Sequence, residues 1–248
     1  MAKHSMDLTQ GSVFKKLLVF AFPLWLATLV QQVYHAADVI VVGNFAENST
    51  TALAAVGSTG AMTNLILNMF LGLAAGASVV CANLYGARDH EGLHRAMTTA
   101  LIASSAGGFI VCVVGLIFSR PLLLLMGSPE DVIDQATAYM QIIFLGKPAV
   151  LVYNTCSAIM RAHGESKRPM YILIGTGLVN VLLNLILVIN FHMDVSGVAI
   201  ATIVSQWLSA GVALYILFHP LGEYRLKLSE FVFDNRKIPM FSLDNIVP

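Results

Sequence analysis

The sequence predicts an all-α polytopic membrane protein with six transmembrane helices. Apolar residues make up 57% of the 248-residue chain and charged residues only 11%, against about a quarter charged in a soluble domain. The charges are grouped, and the six apolar segments between them are each roughly 20 residues or longer, enough for a hydrocarbon core about 30 Å thick. The segments are too long for barrel strands and lack strand alternation, so helices must satisfy their backbone hydrogen bonds.

The bounds of the six helices follow from the charged clusters and from the glycines and prolines near them. The two predicted inner loops, YGARDHEGLHRA and RAHGESKRPM, carry the charges, Gly and Pro that end helices. The predicted helices, in chain order, are Phe14–Phe45, Leu53–Leu84, Arg95–Phe118, Val132–Arg161, Pro169–Asn190 and Val195–His219.

Two prolines interrupt helical runs, Pro23 in the first helix and Pro148 in the fourth. Each removes a backbone hydrogen bond and is expected to kink its helix. At Pro23 a simple bend and a hinge beside a binding site are equally supported, whereas at Pro148 the bend is favoured. Small residues on the second and third helices predict close helix packing, at Gly72, Gly76, Gly107, Gly108 and Gly115.

Positive charge predicts the orientation of the chain in the cytoplasmic membrane. If the amino terminus is cytoplasmic, 12 of the 14 Lys and Arg residues fall on the inner side. The exceptions are Arg120, in an outer loop, and Lys147, within a span. The first apolar run is too long for a signal peptide, so we expect a multi-pass protein with both termini cytoplasmic and the lipid bilayer as its surroundings.

Asp38 is an acidic residue inside the first apolar segment. A carboxylate at that depth is costly and is usually retained for ion binding or proton movement. A rise of about 1.5 Å per residue places Asp38, Asn180, Asn184 and Thr202 in the middle and outer half of the membrane, with the two Asn residues on one helix face. As alternatives, the Asn residues serve only as interhelical hydrogen-bonding groups, and Thr202 bonds only its own backbone.

Several segments, taken in order, resemble the multidrug and toxic compound extrusion (MATE) family. FAFPLWLATLVQQVYHAADVIVVGNFA resembles the family's first helix, and ALAAVGSTG and GLAAGASVVCANLYGARD resemble its second. AIMRAHGESKRPMY followed by VNVLLNLILV resembles the junction of helices 4 and 5, and GVAIATIVSQ resembles helix 6. The order and spacing of these segments over residues 8–218 carry the resemblance.

The resemblance implies two six-helix lobes around a central cavity, which exchange protons or sodium ions for cationic or amphipathic drugs. This chain would then supply only the amino-terminal lobe of a twelve-helix transporter, and its partner would be the missing carboxy-terminal lobe. The implied divisions are a cytoplasmic amino terminus (1–13), the six-helix lobe (14–219) and a truncated cytoplasmic inter-lobe loop (220–248).

One branch of the family has a cation-coupling site in this lobe, and the resemblance implies that Asp38, Asn180 and Thr202 match three of its positions. The fourth is Asn184, where the family often has Asp. Because one carboxylate is left, sodium binding should be weakened, and proton coupling through Asp38 remains possible. We therefore expect no resident metal or cofactor, only H⁺ or Na⁺ as the transported coupling ion.

Lys147 is expected near mid-membrane, facing the cavity and approaching Asp38, the carboxylate clearly at that depth. A water-facing lysine without a coupling role is the alternative. His35 is on the face of Asp38, where a neutral packing histidine is the commoner case. Further cavity candidates are the polar residues Gln31, Gln32, Tyr34, Asn64, Asn68 and Asn154.

The expected function is cation-coupled drug export by an incomplete half of the transporter. Metal-ligand clusters, nucleophile elbows and phosphate loops are missing from the sequence, which argues against an enzyme, and no nucleic-acid partner is expected. Two alternatives stay open: a non-transporting or dimerising half, and a relative of the lipid-linked sugar flippases, which would need several cationic side chains in the cavity.

Overall fold

The computed structural model describes residues 13–45, 49–128 and 132–219, and every regular element in these ranges is helical. The predicted inter-lobe loop (220–248), nearly all of the predicted amino-terminal segment and the side chain of Asn64 lie outside this description. Helix α6 continues directly into a π-helical turn, Ile186–Asn190. The helices are α1 Val13–Phe45, α2 Ser49–Gly86, α3 His90–Leu125, α4 Ile133–Leu145, α5 Lys147–Ala162, α6 Lys167–Leu185 and α7 Asp194–Phe218.

All six predicted spans are helical. By length and composition, α1, α3, α6 with its π-turn, and α7 can each cross a membrane, and α4 and α5 together form one further, bent span. Helix α2 has 38 residues without a charged side chain. Large apolar side chains such as Phe22, Trp25, Phe109 and Ile117 are exposed on the outside of the helices, as expected for a surface that faces lipid.

Two predicted helices have different bounds in the structure. Helix α3 starts at His90, inside the segment predicted as an inner loop, because the Asp89 side chain caps it by accepting a 2.9 Å hydrogen bond from the Gly92 N–H. It also continues through Pro121 to Leu125. The predicted single helix Val132–Arg161 is in fact two helices, with a 41° bend at Gly146.

The bend confirms the interpretation of Pro148, which has no N–H to continue the hydrogen-bond ladder. Neighbouring helices pack against it closely. An added Cβ at Gly108 of α3 would lie 2.6 Å from Pro148 Cα, and one at Gly115 would overlap the Phe144 ring. On the other side, the indole N–H of Trp207 donates a 3.2 Å hydrogen bond to the Leu145 carbonyl.

The predicted close packing at small residues is therefore confirmed at Gly108 and Gly115 on α3 and wrong at Gly72 and Gly76 on α2. A Cβ at Gly72 or Gly76 would meet nothing within 4 Å. In the part of the chain that the structure describes, that region of α2 is not held against another helix by these glycines.

Helix α1 is continuous through Pro23 and packs chiefly on α6. The Tyr34 ring occupies the space that a side chain at Gly177 would need, and its hydroxyl donates a 3.0 Å hydrogen bond to the Ile174 carbonyl. Two turns further along α1, Val42 packs into a buried cluster with Val188 of the π-turn. Asp38 lies between these two contacts, so the α1–α6 packing fixes its position.

Helix α5 ends in a turn that depends on Gly164. Its φ of +80° is in the left-handed region that favours glycine. The Glu165 N–H bonds the Met160 carbonyl and the Gly164 N–H bonds the Arg161 carbonyl, the pattern of a Schellman cap. An ion pair of 3.0 Å between Glu165 and Arg168 then leads into α6.

Candidate cation-coupling site

Asp38 is a buried carboxylate with 9% of its surface exposed, contributed by the carboxy-terminal third of α1. The acidic residues that form ion pairs in the described ranges, Glu91, Asp134 and Glu165, lie instead at helix ends. This separation places one negative charge in the interior of the lobe, away from any described basic partner.

A chain of hydrogen bonds joins Asp38 to the three other predicted site residues. The Asn184 side-chain N–H donates to Asp38 Oδ1, and the same nitrogen lies 3.4 Å from Asn180 Oδ1. The Asn180 amide donates in turn to the Thr202 hydroxyl at 3.3 Å. The sequence-predicted cluster of α1, α6 and α7 residues is therefore assembled in the structure.

Thr202 is hydrogen-bonded both to its own helix backbone and to another side chain of the cluster, the two alternatives that the sequence left open. Its hydroxyl donates to the Val198 carbonyl at 2.9 Å, the backbone bond of the simpler interpretation. Its oxygen also accepts a 3.3 Å hydrogen bond from the Asn180 side-chain amide.

Asn184 is the most enclosed member of the cluster, with none of its surface exposed. Its hydrogen bonds to Asp38 and Asn180 both use the amide nitrogen, and its Oδ1 is buried without a hydrogen-bond partner within the described structure. The N–H of Asn184 therefore faces the Asp38 carboxylate, while the Oδ1 of Asn184 accepts no hydrogen bond from the described residues.

The chain positions these side chains by ordinary helical spacing and one irregularity. Asn180 and Asn184 are four apart, one turn of α6, and so project from one face. The π-helical turn begins two residues after Asn184. Such turns insert an extra residue and are frequent at functional sites; here the turn carries Val188 under α1.

Tyr139 is a neighbour that the sequence did not reveal. It comes from α4, packs on the valine cluster beside Asp38 and lies within electrostatic range of the carboxylate. Nothing in the sequence marks it, since a tyrosine in an apolar helix is common and its proximity depends on how α4 packs.

Lys147 does not form the expected ion pair with Asp38. It is 3% exposed, and the ion pairs of the described residues do not include it. Its position at the start of α5, beyond the bend, explains the difference, because the straight helix assumed from sequence is broken there. Lys147 instead lies within electrostatic range of the His35 side chain.

The other cavity candidates are distributed over several surfaces. Gln31, Gln32, His35 and Asn68 are exposed, and Asn154 is half-buried. Tyr34 is half-buried and packs α1 on α6. The structure therefore does not gather these residues around Asp38 in the way that it gathers Asn180, Asn184 and Thr202.

Comparison with known proteins shows which family has this fold. The profile of the MatE family matches residues 23–186 of the chain. The chain belongs to the MATE family. Its sequence is 30% identical over 201 residues to the probable multidrug resistance protein YoeA of Bacillus subtilis, covering 79% of this chain and 43% of YoeA. It is also 30% identical over 221 residues to YpnP of the same organism, covering 89% of this chain and 49% of YpnP.

A solved MATE structure shows the same similarity in three dimensions. The outward-facing multidrug resistance MATE family transporter of the MOP superfamily matches with a TM-score of 0.82 and 26% identity, over 91% of this chain and 49% of that one. The chain spans about half the length of the MATE relatives that it matches, consistent with one amino-terminal lobe. The family comprises transporters, and this member is a multi-pass membrane protein.

The described part of the MATE lobe holds one carboxylate surrounded by three neutral polar side chains. Asp38, the two Asn carbonyls and the Thr202 hydroxyl provide oxygen atoms of the kind that protons and hard cations use. Within the described ranges no group of three or more His, Cys, Asp or Glu side chains could hold a metal ion. One carboxylate, two amides and one hydroxyl are the chemistry that the site offers.

Proposed function

We propose that this lobe belongs to a cation-coupled antiporter that exports amphipathic drugs across the cytoplasmic membrane, and that Asp38 carries the coupling cation. The observation that supports this most is the buried Asp38 carboxylate held by the Asn184 amide. A charged group so deep in a membrane protein is the usual mark of an ion or proton pathway.

A proton is the coupling cation that this site favours. One carboxylate can take up one proton and become neutral, which suits a site with no second negative charge. A sodium ion would need several oxygen ligands, preferably charged ones, and with Asn at position 184 the cluster offers it a single carboxylate, Asp38.

Protonation would change the contact between α1 and α6. The ionised carboxylate accepts from Asn184, and such charge-assisted bonds are roughly twice as strong as neutral ones. A protonated Asp38 gains an O–H donor and loses its charge, so the hold of Asn184 weakens. Helix α1, which contains Pro23, is then free to repack and expel the bound drug; loss of the proton toward the cytoplasm restores the starting state.

The orientation follows from the positive-inside distribution of Lys and Arg, which favours both termini in the cytoplasm. With that orientation Asp38 lies in the half of the membrane nearer the outside, where uptake of a proton from the exterior is direct.

Drug accumulation in cells that express the native gene tests the proposal. The account expects ethidium efflux to fall to background in Asp38→Asn, which keeps the shape of the side chain and removes its charge. The matched control is Asp134→Asn at the exposed start of α4, where the 3.1 Å ion pair with Arg120 is remote from the site. Efflux that survives in Asp38→Asn would rule out the coupling role.

A further inference from the structure

Lys147 is the second charged side chain in the interior of the described lobe, and the coupling scheme gives it no role. It is 3% exposed and is the first residue of α5, directly after the 41° bend. About 21 Å of helix separate it from Arg161 at the inner end. Its ammonium group is therefore too deep to reach the inner surface by extending its side chain.

No anion within the described ranges neutralises this lysine. The ion pairs there join Glu91 with Arg95, Arg120 with Asp134 and Glu165 with Arg168, all near helix ends. The interior carboxylate, Asp38, accepts from Asn184 instead. A buried unpaired charge is strongly unfavourable, so a lysine retained here is expected to have a partner that comes from outside the lobe.

Gln206 is a second polar side chain at the same bend, and its amide oxygen accepts no hydrogen bond from the described residues. Its Oε1 lies against Gly146, where an added Cβ would collide with it, and this oxygen is buried without a hydrogen-bond partner among the described residues. Because the two ends of an amide exchange by a simple rotation, Gln206 can turn an N–H donor toward a bound anion.

His35 indicates on which side of the lobe the ammonium group of Lys147 lies. This exposed side chain of α1 lies within electrostatic range of Lys147. The ammonium group of Lys147 therefore lies toward α1 within the lobe.

We propose that Lys147 receives the carboxylate of a zwitterionic amphipathic substrate that enters beside the α4–α5 bend, with Gln206 as its second contact, and so selects such substrates over purely cationic ones. An ammonium group binds an anion as a compact point charge, and interrupted membrane helices commonly flank substrate sites in transporters. The inference rests on the proposed function only in taking amphipathic molecules as the substrate class.

A matched pair of dyes tests it. Tetramethylrhodamine carries a free carboxylate, and its methyl ester has the same cationic body without that negative charge. Fluorescence polarisation gives the affinity of each dye for the chain in lipid nanodiscs. Lys147→Met should weaken binding of the acid about 10-fold or more, since a hydrogen-bonded charge contact is of that size, and leave the ester unchanged. Lys147→Arg should retain most of the affinity for the acid.

The control variant is Lys167→Met at the exposed start of α6, which should bind both dyes as the unaltered chain does. Equal effects of Lys147→Met on acid and ester, no effect on either, or no binding of the acid by the unaltered chain would each overturn the proposal.

Thermal unfolding without dye supplies a second readout. Because the ammonium has no ion-pair partner among the described residues, Lys147→Met should keep or raise the melting temperature; a clear fall would reveal an internal partner and overturn the proposal. The coupling role of Asp38 and the carboxylate site at Lys147 can be contradicted independently. If the Asp38→Asn variant still exports drugs while the Lys147→Met variant loses affinity for the acid dye alone, the coupling role is contradicted and the carboxylate site is supported.

Discussion

The side-chain amide of Asn184 donates a hydrogen bond to the carboxylate of Asp38, joining two residues 146 positions apart in the chain. This bond connects the carboxy-terminal third of α1 to α6 close to the point where α6 passes into its π-helical turn. A change in the charge of Asp38 therefore alters a direct contact between α1 and α6.

Asn184→Asp tests whether this amide sets the preference for the coupling ion. A second carboxylate beside Asp38 repels the first unless a cation lies between them. We expect the unaltered chain in nanodiscs to melt at the same temperature in sodium and choline chloride, and Asn184→Asp to be stabilised by sodium alone. For a Kd of about 10 mM, about 100 mM sodium would add about 1.4 kcal/mol.

Equal melting of Asn184→Asp in the two salts would show that another feature of the site decides the ion. Asn180→Asp provides a comparison, because Asn180 is hydrogen-bonded to Thr202 rather than directly to Asp38. Its response to sodium should be the smaller of the two.

The close approach of Tyr34 to Gly177 predicts a large effect of one methyl group. Gly177→Ala would place a Cβ where the Tyr34 ring lies, and overpacking of this kind costs about 1–3 kcal/mol. Gly175→Ala, two residues earlier in α6, meets nothing within 4 Å and should gain up to about 1 kcal/mol from helix propensity. Thermal unfolding of the two variants measures the difference. Equal stability would mean that α1 does not pack on α6 as described.

The surroundings of His163, at the carboxy-terminal end of α5, predict that the stability of the fold depends on pH. Burial lowers the pKa of this histidine, opposed by its 2.7 Å hydrogen bond to the Ile159 carbonyl; the ring packs 5.0 Å from that of Tyr85. Since the folded pKa is below the unfolded value of about 6.5, the unfolded chain binds more protons as the pH falls. The stability contributed by neutral His163 is therefore present above about pH 6.5 and is lost below it.

Melting temperatures measured from pH 7.5 down to pH 5.5 check this prediction. The unaltered chain should lose more stability over that range than His163→Gln, which does not titrate. His90→Gln, at an exposed position, should follow the unaltered chain. If all three curves are parallel, His163 is not held neutral by its surroundings.

The sequence predicted the helical lobe and Asp38 from local signals, whereas the resemblance to the MATE family singled out Asn180, Asn184 and Thr202 as its companions. Charge-free windows define the spans, and Asp38 stands out since a carboxylate in such a window is rare. The four-residue spacing of Asn180 and Asn184 places them on one face without any knowledge of tertiary structure.

The relations that the sequence did not reveal depend on packing between helices. Lys147 was expected to pair with Asp38, yet the break at Gly146 turns α5 and removes that contact. Gln206 and Tyr139 gain their roles only because α7 and α4 pack beside the bend and the carboxylate. The π-helical turn after Asn184 likewise follows no residue pattern that marks it in advance.

Proton-driven drug transport tests the central claim most directly. The native gene product in sealed vesicles would be given an inward-directed proton gradient, and proton entry would be recorded with a pH-sensitive dye when drug is added. The account predicts drug-dependent proton movement in the unaltered protein and in Asp134→Asn, and none in Asp38→Asn. Drug-dependent proton movement that persists in Asp38→Asn would contradict it.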